Sequence, residues 1–247
     1  MIDPRREAEA MVPGGSQGAA AATSAQRKLK VLALHGYLQN ADVFRSRTGA
    51  LRKALKKHCE FVFVNAPHHI QVDLQGNDIV SCDGDDHAKC YGWWLAGPEG
   101  GPPREAKSAK GWETSLGVLE ETLRREGPFD GLLGFSMGAA ASALLCAAIE
   151  SKRVCHDQFK FALLFGGFVP RDPVLAESLR DAKLSIPSIH YSGLSDELVV
   201  ADRSRELVGC FSEGVATFES HPQGHCIPSL REVREKCKAF VADRTNP

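Results

Sequence analysis

The sequence predicts an α/β fold in which helices flank a doubly wound, mostly parallel sheet. Two observations support this prediction. From residue 29 onward, short apolar runs alternate with helical runs, which is the chain order of parallel strands joined by crossover helices. In the middle of the chain, one such strand passes directly into an alanine-rich helix through Gly-Phe-Ser-Met-Gly at residues 134–138.

The first third of the chain predicts a leader, then a strand, a helix and a second strand. Residues 1–26 show no apolar periodicity, so we expect a disordered leader before a single domain at 27–247. The apolar runs "LKVLALH" at 29–35 and "EFVFVNAP" at 60–67 predict buried strands. Between them, residues 47–58 place leucines four apart among cations, which predicts an amphipathic helix.

Periodicity is lost from residue 68 to residue 110, where Asp, Gly, Pro and Cys surround the aromatic run "CYGWWLAG". A segment of this length inside a compact domain is usually functional or disordered. We therefore predict a long loop or cap-like insert at 68–110. Its acidic cluster at 83–87 lacks calcium-loop spacing, so we expect a solvated loop and no metal site.

Regular alternation returns at residue 111 and continues almost to the end of the chain. "GWETSLGVLEETLRREG" at 111–127 has helical spacing and stops at a Gly-Pro pair. The later predicted strands are 131–135, 159–170, 186–193 and 213–221, and the later predicted helices are 137–150, 172–182, 202–211 and 227–243.

Composition and charge argue against several classes of function. The chain has 30 basic and 31 acidic residues and no dense cationic run, so a nucleic-acid partner is not expected. No window is apolar over the length of a membrane span, and the leader lacks the apolar core of a signal peptide. None of the eight cysteines forms a C-x-x-C pair, which favours reduced thiols in a cytosolic protein.

The Gly-x-Ser-x-Gly stretch is typical of a nucleophile on a tight strand-to-helix turn. Such a turn forces Ser136 into an unfavourable backbone conformation and leaves room only for glycine at positions 134 and 138. The hydroxyl then projects from the carboxyl edge of the sheet, beside the positive end of helix 137–150. The alternative interpretation is a Gly-Ser turn that only permits tight packing.

A serine nucleophile needs a base and a carboxylate that orients the base, and both are found after later strands. Asp196 follows the strand at 186–193, and His225 lies just before the last helix. We favour His225 because a glycine frees its loop and the helix starts immediately after it. The local rivals of these two residues are Glu197, Asp202 and His221.

Two backbone N–H groups are expected to receive the oxyanion that forms during acyl transfer. One belongs to Met137, the residue after the nucleophile. The other is Tyr37, in the loop "HGYLQN" after the first strand, where Gly36 permits close approach; Leu38 is the alternative. His35 is predicted to brace this loop.

Seven motifs together resemble the FSH family of serine hydrolases. They are "LALHGYLQNADVFRSRTGALRKAL", "VNAPH", "YGWW", "GPFDGLLGFSMGAA", "GGFVP", "IPSIHYSGLSDELV" and "GHCIP". The resemblance covers most of residues 29–241, and residues 75–110 show no clear family pattern. It implies an α/β-hydrolase fold and esterase or thioesterase activity. It also implies a triad at Ser136, Asp196 and His225, with His35, Gly36 and Tyr37 as the oxyanion loop.

The residues and the resemblance together predict a serine hydrolase that cleaves carboxylic esters, with no metal or organic cofactor. The alternatives are a thioesterase acting on CoA or carrier-protein thioesters and, more distantly, a non-catalytic interaction protein. Trp93, Trp94 and Phe168 are candidate walls of an apolar acyl pocket. The other interpretation is that these aromatics hold a loop onto the core.

Overall fold

A computed structural model of the chain describes residues 27–72, 78–79, 89–95 and 104–245. The strands in these residues are β1 (Leu29–Leu34), β2 (Cys59–Val64), β3 (His68–Val72), β4 (Asp78–Ile79), β5 (Cys90–Gly92), β6 (Gly131–Phe135), β7 (Phe161–Phe165), β8 (Ser188–Gly193) and β9 (Ala216–His221). The helices are α1 (Ala41–Arg47), α2 (Gly49–Leu55), α3 (Trp112–Glu126), α4 (Met137–Glu150), α5 (Pro173–Ala182), α6 (Ala201–Val208) and α7 (Arg231–Ala242).

The main sheet has the strand order β2-β1-β6-β7-β8-β9, and all of its pairings are parallel. The chain runs from β1 outward to β2, then returns to the other side of β1 and proceeds from β6 to β9. The direction of winding therefore reverses between β1 and β6, which is where α/β sheets bind ligands at their carboxyl ends. The predicted fold class is confirmed.

Two apolar clusters cover the two faces of this sheet. Helices α3 to α6 pack on one face, and α1, α2 and α7 pack on the other. Successive side chains of β1 alternate between the two clusters, because side chains of a strand point to opposite faces in turn. Helix α4 is buried from Met137 to Ile149, and its alanines allow this close approach to the sheet.

The helix predicted at 47–58 is α2 in the structure, Gly49–Leu55, and a second short helix, α1, precedes it at Ala41–Arg47. Asn40 caps α1 by accepting a hydrogen bond from the Val43 N–H at 2.8 Å. Thr48 separates α1 from α2, and its hydroxyl donates to the Phe44 carbonyl at 2.9 Å. The sequence did not predict α1 because its apolar residues are too few to establish a helical period.

The predicted long loop at 68–110 is partly a small antiparallel sheet with the order β4-β3-β5. Its strands are two to five residues long, too short for an alternating pattern to be recognised. The leader 1–26 and the acidic cluster 83–87 lie outside the described residues. Within the described part of the chain, no helix has both the length and the apolar character of a membrane span.

Candidate active site

Ser136 lies on a strained turn between β6 and α4. Its φ of 56° and ψ of −121° are unfavourable for any residue with a side chain. A Cβ at Gly138 would lie 2.1 Å from the Leu34 carbonyl oxygen, and one at Gly134 would lie 2.6 Å from the Ala139 Cα. These contacts explain why the turn needs a glycine on each side of the serine.

Three side chains meet at this turn through a continuous chain of hydrogen bonds. The Ser136 hydroxyl oxygen is 2.8 Å from His225 Nε2. The other ring nitrogen, His225 Nδ1, is 2.6 Å from Asp196 Oδ2. The structure therefore brings together the three residues that the sequence selected as a triad.

The rival residues take other positions. Glu197 and Asp202 are exposed, and Asp202 forms a surface ion pair with Arg205. His221 is buried at the end of β9, where its Nδ1 has no hydrogen-bond partner among the described residues. None of the three reaches the Ser136 hydroxyl.

Asp196 is held as a carboxylate by its hydrogen bonds. Its Oδ1 accepts the backbone N–H groups of Leu198 at 2.9 Å and Val199 at 2.8 Å, while Oδ2 faces His225. Burial raises the pKa of Asp196, but the hydrogen bonds from His225 and the two N–H groups outweigh it, so the pKa is lowered overall. Asp196 is thus ionised at neutral pH.

The His225 ring is packed tightly from two sides. The ring of Phe135 lies with its centroid 4.8 Å away. On another side is Gly166, which has a φ of +57° and where a Cβ would come within 2.9 Å of His225 Cε1. Sequence analysis missed the role of Gly166, although a Gly-Gly pair after a strand is the kind of signal that marks close approach.

The two predicted oxyanion donors are backbone N–H groups without an acceptor among the described residues. Neither the Tyr37 nor the Met137 N–H has a hydrogen-bond acceptor in the described part of the chain. The Leu38 N–H, the alternative donor, instead donates to the Tyr91 carbonyl at 3.1 Å, and the Tyr91 N–H donates to Gln39 at 2.8 Å. The small sheet therefore fixes the loop after β1, and the Leu38 N–H is already used in a hydrogen bond to it.

His35 braces the same loop as a neutral residue. Its Nε2 accepts the Ala66 N–H at 3.0 Å, so Nδ1 carries the proton and donates to the Gly36 carbonyl at 2.7 Å. Burial lowers the pKa of His35 to about 4, although the bond to Gly36 acts in the opposite direction. Its role is structural, as the sequence suggested.

A cavity of about 380 Å³ opens beside the Ser136 hydroxyl. Its lining consists of Tyr37, Leu38, Gln39, Arg47, Arg104, Phe135, Ser136, Met137, Phe168, Leu198 and His225. Among the described residues, no group of three or more His, Cys, Asp or Glu side chains is placed to hold a metal ion.

Residues 22–237 match the family described as serine hydrolase (FSH1). The chain belongs to the FSH1 serine hydrolase family. It is similar to human esterase OVCA2, with 38% identity over 226 residues that cover 88% of this chain and 97% of the human protein. It is also 36% identical over 231 residues to rhodanese-like domain-containing protein 6 of Arabidopsis thaliana, covering 87% of this chain but only 39% of that protein.

Among solved structures, the FSH1-family chain is similar to acyl-protein thioesterase 2 of Zea mays. The TM-score is 0.63 at 18% identity, covering 90% of this chain and 96% of that one. This likeness shows the α/β-hydrolase fold. Family membership supports ester hydrolysis as the general class of reaction.

The cavity of this FSH1-family chain differs from the predicted acyl pocket in two residues. Phe168 lines it, but Trp93 and Trp94 are 0% and 1% exposed and lie in the core. The Trp93 indole Nε1–H donates to the His35 carbonyl at 2.9 Å, and its backbone N–H donates to Met137 Sδ at 3.1 Å. The two tryptophans therefore lie in the core, where Trp93 contacts Met137 and the His35 carbonyl, and they do not line the cavity.

Five lining residues had no prediction attached to them: Gln39, Arg47, Arg104, Phe135 and Leu198. They come from separate parts of the chain, and their convergence depends on how the loops fold over the sheet edge. Two of the five lie in motifs that the sequence singled out: Phe135 adjoins the nucleophile, and Gln39 belongs to the loop "HGYLQN".

Two buried neutral histidines make the stability of the fold depend on pH. Burial lowers the pKa of His35 to about 4 and that of His190 to about 3, whereas an unfolded histidine titrates near about 6.5. Between these values the unfolded chain binds more protons than the folded one, so stability falls as the pH is lowered. We expect the free energy of unfolding, from urea titrations, to drop by about 1 to 3 kcal/mol per pH unit below about pH 6.

The part of this window from about pH 6.5 to 5 lies above the pKa of ordinary carboxylates, so a drop in stability there separates the histidines from acid denaturation in general. A His35→Gln variant should show a smaller drop per pH unit than the parent. A free energy of unfolding that stays constant from about pH 6.5 to 5 would contradict the neutral state of both rings.

Proposed function

We propose that the protein is a serine hydrolase that cleaves carboxylic esters through an acyl-enzyme on Ser136. The observation that supports this best is the chain of hydrogen bonds from Ser136 through His225 to Asp196, at 2.8 and 2.6 Å, beside a cavity of about 380 Å³. The reaction needs no cofactor.

The geometry suits a two-step acyl transfer. His225 Nε2 accepts the proton of the Ser136 hydroxyl as the oxygen attacks the acyl carbon. Asp196 accepts the Nδ1–H of the ring, which fixes the tautomer and stabilises the imidazolium that forms. His225 then gives its proton to the departing alcohol, and a water molecule activated by the same ring hydrolyses the acyl-enzyme.

The N–H groups of Tyr37 and Met137 are proposed to receive the oxyanion. Met137 stands at the first position of α4, where helix geometry leaves the N–H without an internal acceptor. The positive end of the helix dipole adds to the stabilisation of negative charge. Together these groups are arranged before the reaction, which is how such donors lower the barrier.

Trp93 links the loop after β1 to Met137, because its indole N–H donates to the His35 carbonyl and its backbone N–H donates to Met137 Sδ. Loss of the indole N–H is expected to weaken the support of the oxyanion loop. A Trp93→Phe variant keeps most of the ring but loses the indole N–H that donates to the His35 carbonyl. We expect kcat to fall about tenfold, less than the hundredfold or more that follows removal of a donor, with a smaller change in KM. The measurement is steady-state kinetics on a soluble ester.

The matched control is Trp112→Phe, because Trp112 is a similarly buried indole that packs on Trp94 at the start of α3. It should affect stability more than kcat. An equal fall in kcat for both variants would show that Trp93 acts only through packing.

The lining of the cavity favours an apolar acyl group. Phe135, Phe168 and Leu198 are among its apolar lining residues. We further propose that the protein acts in the cytosol, since the described cysteines at positions 59, 146, 155, 210, 226 and 237 are thiols outside any disulfide.

The proposed function is tested by covalent labelling and by a substrate screen. A fluorophosphonate probe should label the native protein and not the heat-denatured protein. Hydrolysis should then be measured over matched esters and thioesters from acetyl to palmitoyl. Absence of labelling contradicts a serine hydrolase, and activity confined to thioesters replaces the ester assignment with a thioesterase.

A further inference from the structure

The wall of the active-site cavity is positively charged. Two arginines, Arg47 and Arg104, line it, and none of its described lining residues is Asp or Glu. The carboxylate of Asp196 is not among the lining residues, and its oxygens are held by the His225 ring and two N–H groups. A neutral alkyl ester has no anionic group that these two arginines could bind.

The charge of Arg47 is not paired with a carboxylate of the described residues. Arg47 is the last residue of α1, it is exposed, and no carboxylate of the described residues lies within ion-pair distance of it. Arg47 also lines a second cavity of about 220 Å³ with Phe44, Phe135, Cys226 and Ile227. Because Arg47 and Phe135 belong to both cavities, the guanidinium stands where the two spaces adjoin.

Arg104 belongs to a group of arginines that share one carboxylate. Glu105 Oε1 is 2.6 Å from Arg203 Nη1 but 3.9 Å from Arg104 Nε, and Glu105 Oε2 is 3.8 Å from Arg171. The strong pairing of Glu105 is thus with Arg203. The Arg104 Nε–H has no acceptor among the described residues, and positive charge remains in excess at this end of the cavity.

The position of Arg104 is fixed by the same group. The buried Arg203 guanidinium donates to the Arg104 carbonyl at 2.8 Å and to the Val169 carbonyl at 3.2 Å. It also lies over the ring of Phe168, 4.9 Å from its centroid, and Phe168 lines the cavity. Arg203 therefore holds the residue 104 backbone against the cavity wall.

We propose that the substrate carries an anionic group, a carboxylate or a phosphate, that binds Arg47 and Arg104 while its ester is placed at Ser136. This inference rests on the proposed function and adds the charge of the substrate to it. Guanidinium groups suit both anions because their N–H donors match two oxygens at once. The anion belongs either to the acyl chain or to the leaving group.

The test compares matched substrates that differ in charge. The acyl pair is mono-4-nitrophenyl adipate, which ends in a carboxylate, and its neutral methyl ester. The leaving-group pair is hexanoyl-CoA, which carries phosphates, and hexanoyl-N-acetylcysteamine, which does not. For each pair, the measured quantity is the ratio of kcat/KM for the anionic compound to that for the neutral one, after subtraction of spontaneous hydrolysis.

We expect a ratio of about ten or more in one pair, which identifies the side that bears the anion. Arg47→Gln and Arg104→Gln should each lower that ratio about fivefold, and about tenfold more salt should lower it in the parent protein. The matched control is Arg45→Gln, because Arg45 lies on the same helix but over the ring of Phe63, away from the cavity. Its ratio should equal that of the parent.

The outcomes separate this inference from the proposed function. If the neutral compounds are cleaved but neither ratio exceeds one, or if Arg45→Gln lowers the ratio as much as Arg47→Gln, the anionic substrate is excluded and the hydrolase remains. If none of the four compounds is cleaved and fluorophosphonate does not label Ser136, both proposals are excluded.

Discussion

Replacement of Ser136 by alanine is expected to lower kcat for ester hydrolysis by on the order of 10⁵-fold or more. In the proposed mechanism the Ser136 hydroxyl bonds to the acyl carbon, and no other hydroxyl is within hydrogen-bond reach of His225 among the described residues. Alanine fits the strained turn no worse than serine, since both have a Cβ at the same φ of 56°. The thermal midpoint should therefore change little while activity and fluorophosphonate labelling disappear.

The matched control is Ser151→Ala, at the opposite end of the same helix. The Ser151 hydroxyl only donates to the Ala148 carbonyl at 3.2 Å, so kcat and labelling should equal those of the parent protein. If Ser136→Ala is labelled as strongly as the parent, another residue is the nucleophile. Hydrolysis that persists in this variant would lead to the same conclusion.

Replacement of Asp196 by asparagine is expected to lower kcat by on the order of 10⁴-fold with little loss of stability. The amide oxygen can still accept the N–H groups of Leu198 and Val199, so the turn after β8 is preserved. The amide nitrogen, however, faces His225 Nδ1 and donates to it. The ring then carries its proton on Nε2 and cannot accept the proton of Ser136.

Asp202→Asn is the control for this substitution. Asp202 is 95% exposed and pairs weakly with Arg205 at 3.5 Å, so neither kcat nor stability should change beyond about twofold or a few tenths of a kcal/mol. The measurement is kcat for a soluble ester together with urea unfolding of each variant. An Asp196→Asn protein that keeps more than about a tenth of the activity would remove Asp196 from the mechanism.

Local chemistry explains why the triad residues could be selected from the sequence. The turn around Ser136 requires glycine two residues before and two residues after the serine, and the sequence has glycine at 134 and 138. Asp196 and His225 could be selected because parallel strands end at the same edge, so residues after separate strands become neighbours. Chain order alone therefore predicts that Asp196 and His225 are neighbours at this edge of the sheet.

The rest of the site depends on packing that has no local pattern. The described strands within residues 68–110, β3 to β5, are too short to be recognised, and their attachment through Tyr91 to the loop after β1 uses backbone hydrogen bonds. Arg47 and Arg104 are 57 positions apart in the sequence, as their numbers show, and each reads as an ordinary surface cation. The burial of Trp93 and Trp94 also has no local pattern in the sequence, since it follows from where β5 attaches.

The two backbone hydrogen bonds of Tyr91 attach the loop after β1 to the small antiparallel sheet. Because its three strands are short, we expect the small sheet to open more readily than the six-stranded sheet. When β5 detaches, the Tyr37 N–H loses its support while the six parallel strands stay paired. We therefore expect catalytic activity to be lost under milder denaturing conditions than those that unfold the main sheet.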